Sequence, residues 1–377
     1  MGRMVAVAGI ALVVGILVGV GAVSLQHSAE TPVARAIKEA EPVAGSIPNV
    51  PEVRAPHKVL KLASTVPTSA PLIGTMATET AERLASLSDG NIEFKLYEPK
   101  TVVPNDQLLD KVSDGAIDAV WASAGEFADR DSAFWFFSAV PFGPAADELL
   151  AWLDSGGGQE LMDASFARFN IKPIVCAVLP PKSGGWFRRE ITSVDDLKGL
   201  KMRFKGLGAR VIAKLGVETV AMSGGDTFYA LQSGAIDAAE FSSPKVDLRF
   251  GFDKAAGYYY FPGWHQQSSL MTLLINAASW DALSDSQRDQ ITSICGDNIR
   301  KSLAEGEAEQ IKALQEINAK GIAVQTWPPG VLEALQQAWH QVVKEEKAAN
   351  PEFKTVWDSY EGFRKAYADW RRLGHLR

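Results

Sequence analysis

Apolar and polar residues alternate in short runs along most of the chain, and between these runs lie longer stretches with apolar residues at helical spacing. This succession begins at Lys58 and predicts an α/β fold. Val59 to Ala63 reads as a first strand. Leu72 to Leu87 reads as a helix carrying Ile73, Met76, Ala77, Ala81, Leu84 and Leu87 on one face, closed by Asp89-Gly90. Asn91 to Leu96 alternates as a second strand. Ser193-Val194-Asp195-Asp196 resembles a capping box, and Ser284-Asp285-Ser286-Gln287 fits one fully. The second opens a helix expected to run to about Lys320 with a break at Cys295-Gly296. Val331 to Arg371 is again helical, interrupted near Asn350-Pro351.

Ahead of this pattern the chain is different. Arg3 precedes an uncharged apolar run, Met4 to Val23, that ends at Ala22-Val23-Ser24. It reads equally as a cleaved export signal or as an uncleaved anchor, since at about 1.5 Å per residue it spans a bilayer core of about 30 Å. Residues 1–24 are therefore assigned to signal or anchor. Residues 25–57, broken by X-Pro steps, are a Pro/Ala-rich linker. In both readings the remainder lies outside the cytoplasmic membrane, in the periplasm.

Within 58–377 one motif recurs. Leu108 to Ala119 ends in Gly115-Ala116-Ile117-Asp118-Ala119, and Phe228 to Ala238 ends in Gly234-Ala235-Ile236-Asp237-Ala238. Each copy predicts a helix stopped by glycine and a strand beginning Ala-Ile-Asp-Ala. The repeat suggests two similar α/β lobes with a cleft between them, a usual setting for a hinged small-molecule binder. The expected division is 58–178 plus a later return segment for the first lobe, 179–275 for the second, and C-terminal helices over 280–377.

Composition narrows the chemistry. Lys and Arg number 38 against 45 Asp and Glu, a net charge of −7, which speaks against a nucleic-acid partner. Two cysteines, Cys176 and Cys295, exclude a disulfide framework and multi-cysteine metal modules. Cys176 reads as a buried, inert thiol, and its spacing does not decide whether it pairs with Cys295. Five histidines leave His265 and His340 as interior bases, and no nucleophile elbow, P-loop or His-Glu-x-x-His motif occurs. Glu240 follows the second repeat, at the carboxyl end of a strand, where open α/β sheets bind ligands. Arg203, in Gly199-Leu200-Lys201-Met202-Arg203-Phe204, offers a planar fork for a carboxylate. Lys182 lies in a Pro- and Gly-bracketed approach to a strand, and Trp264, His265 and Gln266 close a Tyr-rich run.

Taken in order, several segments resemble the solute-binding proteins of tripartite ATP-independent periplasmic (TRAP) transporters. They are Val140-Pro141-Phe142-Gly143, Gly156-Gly157-Gly158-Gln159-Glu160-Leu161, Trp186-Phe187-Arg188-Arg189-Glu190-Ile191 after Gly-Gly, Leu197 to Arg203, Gly234 to Glu240, and Tyr258 to Trp264. The similarity is greatest to the branch that binds 2-oxo acids and related monocarboxylates. It implies a two-lobed periplasmic binding protein fold with a hinged cleft and long C-terminal helices. The implied function is non-enzymatic capture of a small organic acid and its delivery to membrane permease subunits. Arg203 matches the family's carboxylate clamp. Glu240 matches an acid that, in this branch, helps hold a Na⁺ or Ca²⁺ ion bridging to the substrate, and Phe241 matches the aromatic that follows. Phe241 and Trp264 would wall the ligand, with His265 or Gln266 giving polar selectivity. Family members can dimerise through the C-terminal helices, and Val331 to Arg371 carries apolar residues for a homodimer.

Three departures bear on the site. Lys182 stands where the branch has a metal-ligating Gln, Gln266 replaces an acid, and the expected paired tyrosines are absent from Trp121-Ala122-Ser123-Ala124-Gly125-Glu126-Phe127. A charged ammonium cannot ligate a metal. The expectation is therefore no cofactor, with Lys182 in the metal's electrostatic role; a metal, if held, would sit on Glu240 and Gln266. The alternatives are a membrane-tethered ligand-sensing module of the same fold and, less favoured, a lyase or isomerase using Lys182 and Glu240.

Overall fold

The computed structural model describes residues 57–375; the signal or anchor and all but the last residue of the linker lie outside them. In chain order the main elements are β1 (Lys58–Ser64), α1 (Thr75–Leu87), β2 (Ile92–Tyr97), α2 (Leu108–Ser113), β3 (Ala119–Ala122), α3 (Ala146–Ser155), α4 (Gly158–Ala167), β4 (Ile171–Leu179) and β5 (Gly185–Phe187). They continue with β6 (Lys201–Arg203), α5 (Gly206–Ala213), β7 (Glu218–Val220), α6 (Gly224–Ser233), β8 (Ala238–Ala239), α7 (Pro244–Phe250), β9 (Tyr258–Phe261) and β10 (Ser269–Asn276). After α8 (Ala277–Asp281) come α9 (Asp285–Ala319), β11 (Ala323–Thr326), α10 (Pro329–Ala349) and α11 (Pro351–Gly374).

The strands form two sheets, one per lobe. The first has the order β2-β1-β3-β10-β4 and the second β11-β9-β5-β8-β6-β7. In the first, β1 runs parallel to β2 and β3, whereas β10 is antiparallel to β3 and β4. Every residue of β10 is buried, as expected of a strand covered on both faces. Because β10 pairs with β3 and β4, residues 269–276 return to the first sheet, and all but Asn276 lie inside the stretch that the sequence reading gave to the second lobe. Likewise β11, read only as part of the helical C-terminal region, edges the second sheet beside β9.

The repeated motif has the same structure twice. Gly115 and Gly234 take the left-handed conformation, with φ of 78° and 80°. The following Ala-Ile-Asp forms a bend, so the strands begin three residues later than expected, at Ala119 and Ala238. The aspartates explain the shared sequence: Asp118 accepts the Lys61 backbone N–H at 2.8 Å, and Asp237 accepts that of Lys201 at 2.9 Å. Each therefore locks its bend to the neighbouring strand.

Both capping boxes form, the one at Ser193 opening a short 3-10 turn and the one at Ser284 opening α9. The break expected at Cys295-Gly296 does not occur. Ile291, Ile294 and Cys295 are buried in the first lobe's core, and that packing outweighs the roughly 1 kcal/mol cost of a mid-helix glycine. Cys176 on β4 is not a free thiol but is bonded to Cys295, with a Cα–Cα distance of 4.1 Å. Helix α9 packs on β4 and α1 in the first lobe and on α7 and β11 in the second. Of the apolar residues expected to serve a homodimer, Trp339, Val342, Val343, Phe353 and Val356 are buried in the chain's own core.

Two short crossovers, 180–184 and 262–268, join the sheets and pair with each other. Lys182 N–H donates to Gln266 O at 3.1 Å and Gly263 N–H to Lys182 O at 3.0 Å. A Cβ on Gly263 would overlap the Lys182 and Ser183 carbonyls, so only glycine permits this approach.

Candidate functional site

The carboxyl ends of β6 and β8 deliver Arg203 and Glu240 to the side of the second sheet that faces these crossovers. Glu240 is buried, and it gathers the other polar groups. Lys182 Nζ lies 3.2 Å from its Oε1, and Arg203 Nη1 lies 3.2 Å from its Oε2. His265 Nε2 is 3.0 Å from Oε1 but is not aligned as a hydrogen bond, and both its ring nitrogens lack a partner among the described residues. Lys182 Nζ also donates to Phe241 O at 2.9 Å. Arg203 Nη1 donates to the Glu240 carbonyl, its Nε donates to Met222 O at 3.4 Å, and its guanidinium lies 4.9 Å from the centre of the Phe241 ring. Arg203 Nη2 has no protein partner among the described residues.

Burial pushes Glu240 up, yet the Lys182 charge, the adjoining His265 and the Arg203 charge together outweigh it and hold the carboxyl well below its ordinary range. Burial pushes His265 down, opposed by Glu240, so the imidazole is neutral. Behind the site, Asp247 is fully buried and accepts from Trp186 Nε1, Tyr259 OH and Ser242 N–H, each at 2.9 Å. Burial raises its carboxyl to about 6 despite these donors. Asp247 thus fixes Ser242, next to Phe241, and by a longer contact of 3.4 Å Ser183, next to Lys182.

The first lobe contributes Thr65, just past β1, and Glu126, past β3. Thr65 Oγ1 donates to Glu126 Oε1 at 2.9 Å. The Glu126 side chain is open to solvent yet set among protein atoms, as on a concave wall, and that partial desolvation raises it. Lys205, which follows β6, is lowered first by desolvation and then by Arg203. Glu126 and Lys205 have no contact within 4 Å, but each acts on the other's charge, as expected of residues on facing walls.

Of the residues singled out in the sequence, the structure brings together Lys182, Arg203, Glu240, Phe241 and His265. Gln266 joins them through its backbone carbonyl, while its side-chain Oε1 is buried without a partner. Trp264 is turned into the core, stacked on Phe142 at 5.9 Å and tilted against Phe204 at 5.7 Å. Sequence reasoning missed Thr65, Lys205, Asp247 and Glu126. Glu126 had only a loose signal, since an acid follows the strand of each repeat, four residues past β3 for Glu126 and directly after β8 for Glu240. A groove of about 740 Å³ lies at the other end of the first sheet, lined by Lys58, Asp114, Asp118 and Asn276. There Asp118 and Asn276 are already bonded within the protein.

Residues 62–349 match the family described as bacterial extracellular solute-binding protein, family 7. A monocarboxylate 2-oxoacid-binding periplasmic protein of Nostoc sp. is 32% identical over 80% of this chain and 82% of its own. A TRAP transporter solute-binding protein of Bordetella bronchiseptica, solved as a mixed-occupancy dimer with copurified calcium and picolinate, superposes with a TM-score of 0.81 at 33% identity. That superposition covers 85% of this chain and 95% of the other. One from Colwellia psychrerythraea, with bound calcium and pyruvate, gives 0.80 at 27% identity over 85% and 97% of the two chains. The chain belongs to family 7 of the bacterial extracellular solute-binding proteins and is an extracytoplasmic receptor of a TRAP transporter, not an enzyme.

Proposed function

We propose that this receptor captures a small organic acid with a single carboxylate and an acceptor on the adjacent carbon, a 2-oxo acid or close analogue. The observation that carries the reading is Arg203. Its guanidinium is buried and oriented on three sides by Glu240, Met222 O and the Phe241 ring, with Nη2 left over for a ligand. A guanidinium so fixed presents its donors to a carboxylate at little further entropic cost.

Charge supports an anionic ligand, because the groups with donors left over, Arg203 and Lys182, are both cations. Pyruvate and picolinate, bound by the two solved relatives, both pair a carboxylate with an acceptor at the neighbouring atom. Binding draws Thr65 and Glu126 of the first lobe toward Arg203, Lys182 and Lys205 of the second, and the closed form is what the permease meets. In this reading the cleft's cation is a lysine, and no metal ion is required.

A thermal-shift screen of the full chain checks the ligand class. Small 2-oxo and 2-hydroxy monocarboxylates should raise the melting temperature more than dicarboxylates or amino acids of similar size, since only differential binding to the folded state shifts it. No shift with any organic acid would contradict the reading.

A further inference from the structure

We infer that Lys182 occupies the position a metal ion would need in this cleft, so that the receptor binds its carboxylate ligand without metal. The inference rests on the carboxylate-binding reading above. The atoms a cation would use here are Glu240 Oε1 and the Phe241 carbonyl, and Lys182 Nζ already lies 3.2 and 2.9 Å from them. A charged ammonium has three donors and no lone pair, so it fills that space without being able to ligate. The other Glu240 oxygen is committed to Arg203, and a metal ion would have to sit between two fixed positive side chains.

Gln266 does not supply the missing ligand, because it meets Lys182 through its backbone and not through its amide. Among the described residues no group of three or more His, Cys, Asp or Glu is placed to hold a metal ion.

The ammonium is held in place from both sides. Lys182 N–H and O are bonded to the second crossover, and Pro180-Pro181 precedes it in the chain. Two of its three N–H groups are spent on Glu240 and Phe241, and the side chain remains partly exposed. The third N–H and Arg203 Nη2 are thus two donors left for one ligand. A carboxylate on Arg203 with a 2-oxo or 2-hydroxy oxygen on Lys182 satisfies both. A metal ion would accept the same oxygens, but its occupancy would depend on its concentration, whereas a lysine is always present.

Calorimetry on the full chain, stripped with chelator in sodium-free buffer, tests this with pyruvate supplied as its Tris salt. The affinity should change by less than about 3-fold when Ca²⁺ or Na⁺ is restored. Lys182→Gln, which exchanges the ammonium for an amide oxygen able to ligate, should lose at least about 10-fold in chelator and recover with metal, while Lys182→Met should lose as much and not recover. A wild-type chain that needs Ca²⁺ or Na⁺ to bind pyruvate overturns the inference and leaves the carboxylate reading standing, and this arm does not depend on either variant folding. Lys182→Gln binding as tightly as wild type in chelator overturns it equally. A wild-type chain that binds no pyruvate in any condition overturns both.

Discussion

Glu240 and Asp247 are two buried carboxyls whose surroundings drive them in opposite directions. Glu240 is paired with Lys182 and Arg203 and stays ionised, whereas Asp247 meets only neutral donors and is raised from 3.8 to about 6. The signs for stability follow from linkage. Asp247 holds its proton in the native chain over a range where the unfolded chain has lost it. Its contribution is therefore full below about pH 4 and declines as the pH rises to about 6. Glu240 behaves oppositely, contributing above its ordinary value of 4.5 and losing that contribution on acidification. Urea unfolding should show the stability gap between wild type and Asp247→Asn narrowing by on the order of 2 kcal/mol from pH 4 to 6. A gap independent of pH would contradict the placement of Asp247. In the sequence, Glu240 stood out because strand ends in α/β sheets are ligand positions, and Arg203 because a guanidinium offers a planar fork for a carboxylate and matches the family's clamp. Asp247, on helix α7, did not, because its role depends on Trp186 and Tyr259 converging from two strands.

At the scale of elements, α9 and the paired crossovers decide how the lobes are joined. The sequence marked the start of α9 through Ser284 and Gln287 but suggested a break at Gly296. Local propensity cannot register that Ile291, Ile294 and Cys295 all face one core. The Cys176–Cys295 bond ties β4 to α9 across a sequence separation of 119 residues, and an extracytoplasmic receptor meets the oxidising conditions that keep such a bond formed. Closing so long a loop should stabilise the folded chain by about 2–5 kcal/mol. Cys176→Ser together with Cys295→Ser should therefore lower the midpoint of chemical denaturation, as should reductant added to wild type. An unchanged midpoint in both would contradict a structural role for the bond. The place of β10 in the first sheet was hidden for a related reason: a strand buried on both faces carries no alternation to reveal its partners.

At the scale of the molecule, two lobes on separate sheets are joined by the crossovers, by α9, by α10 and α11, and by a close approach at Gly206. Helices α10 and α11 pack on each other, while α10 rests on α5 of the second lobe and α11 on α3 and α4 of the first. The Trp135 ring, on the first lobe, lies so close to Gly206, at the start of α5 on the second, that a Cβ there would overlap it. The repeated Gly-Ala-Ile-Asp-Ala motif foretold two lobes, and the scarcity of Cys and His agrees with a receptor that binds without bond-making. What the sequence could not display was the facing pair, Glu126 and Lys205, whose relation exists only once the two lobes are brought together. The central claim is that Arg203 clamps an organic acid between these lobes. Calorimetric titration of pyruvate into the wild-type chain and Arg203→Ala tests it most directly. The account predicts saturable one-to-one binding by wild type and a loss of about 10- to 100-fold in the variant, the value of about 1.5–3 kcal/mol for a charge-assisted hydrogen-bonded contact. Equal affinity in the two proteins would contradict it.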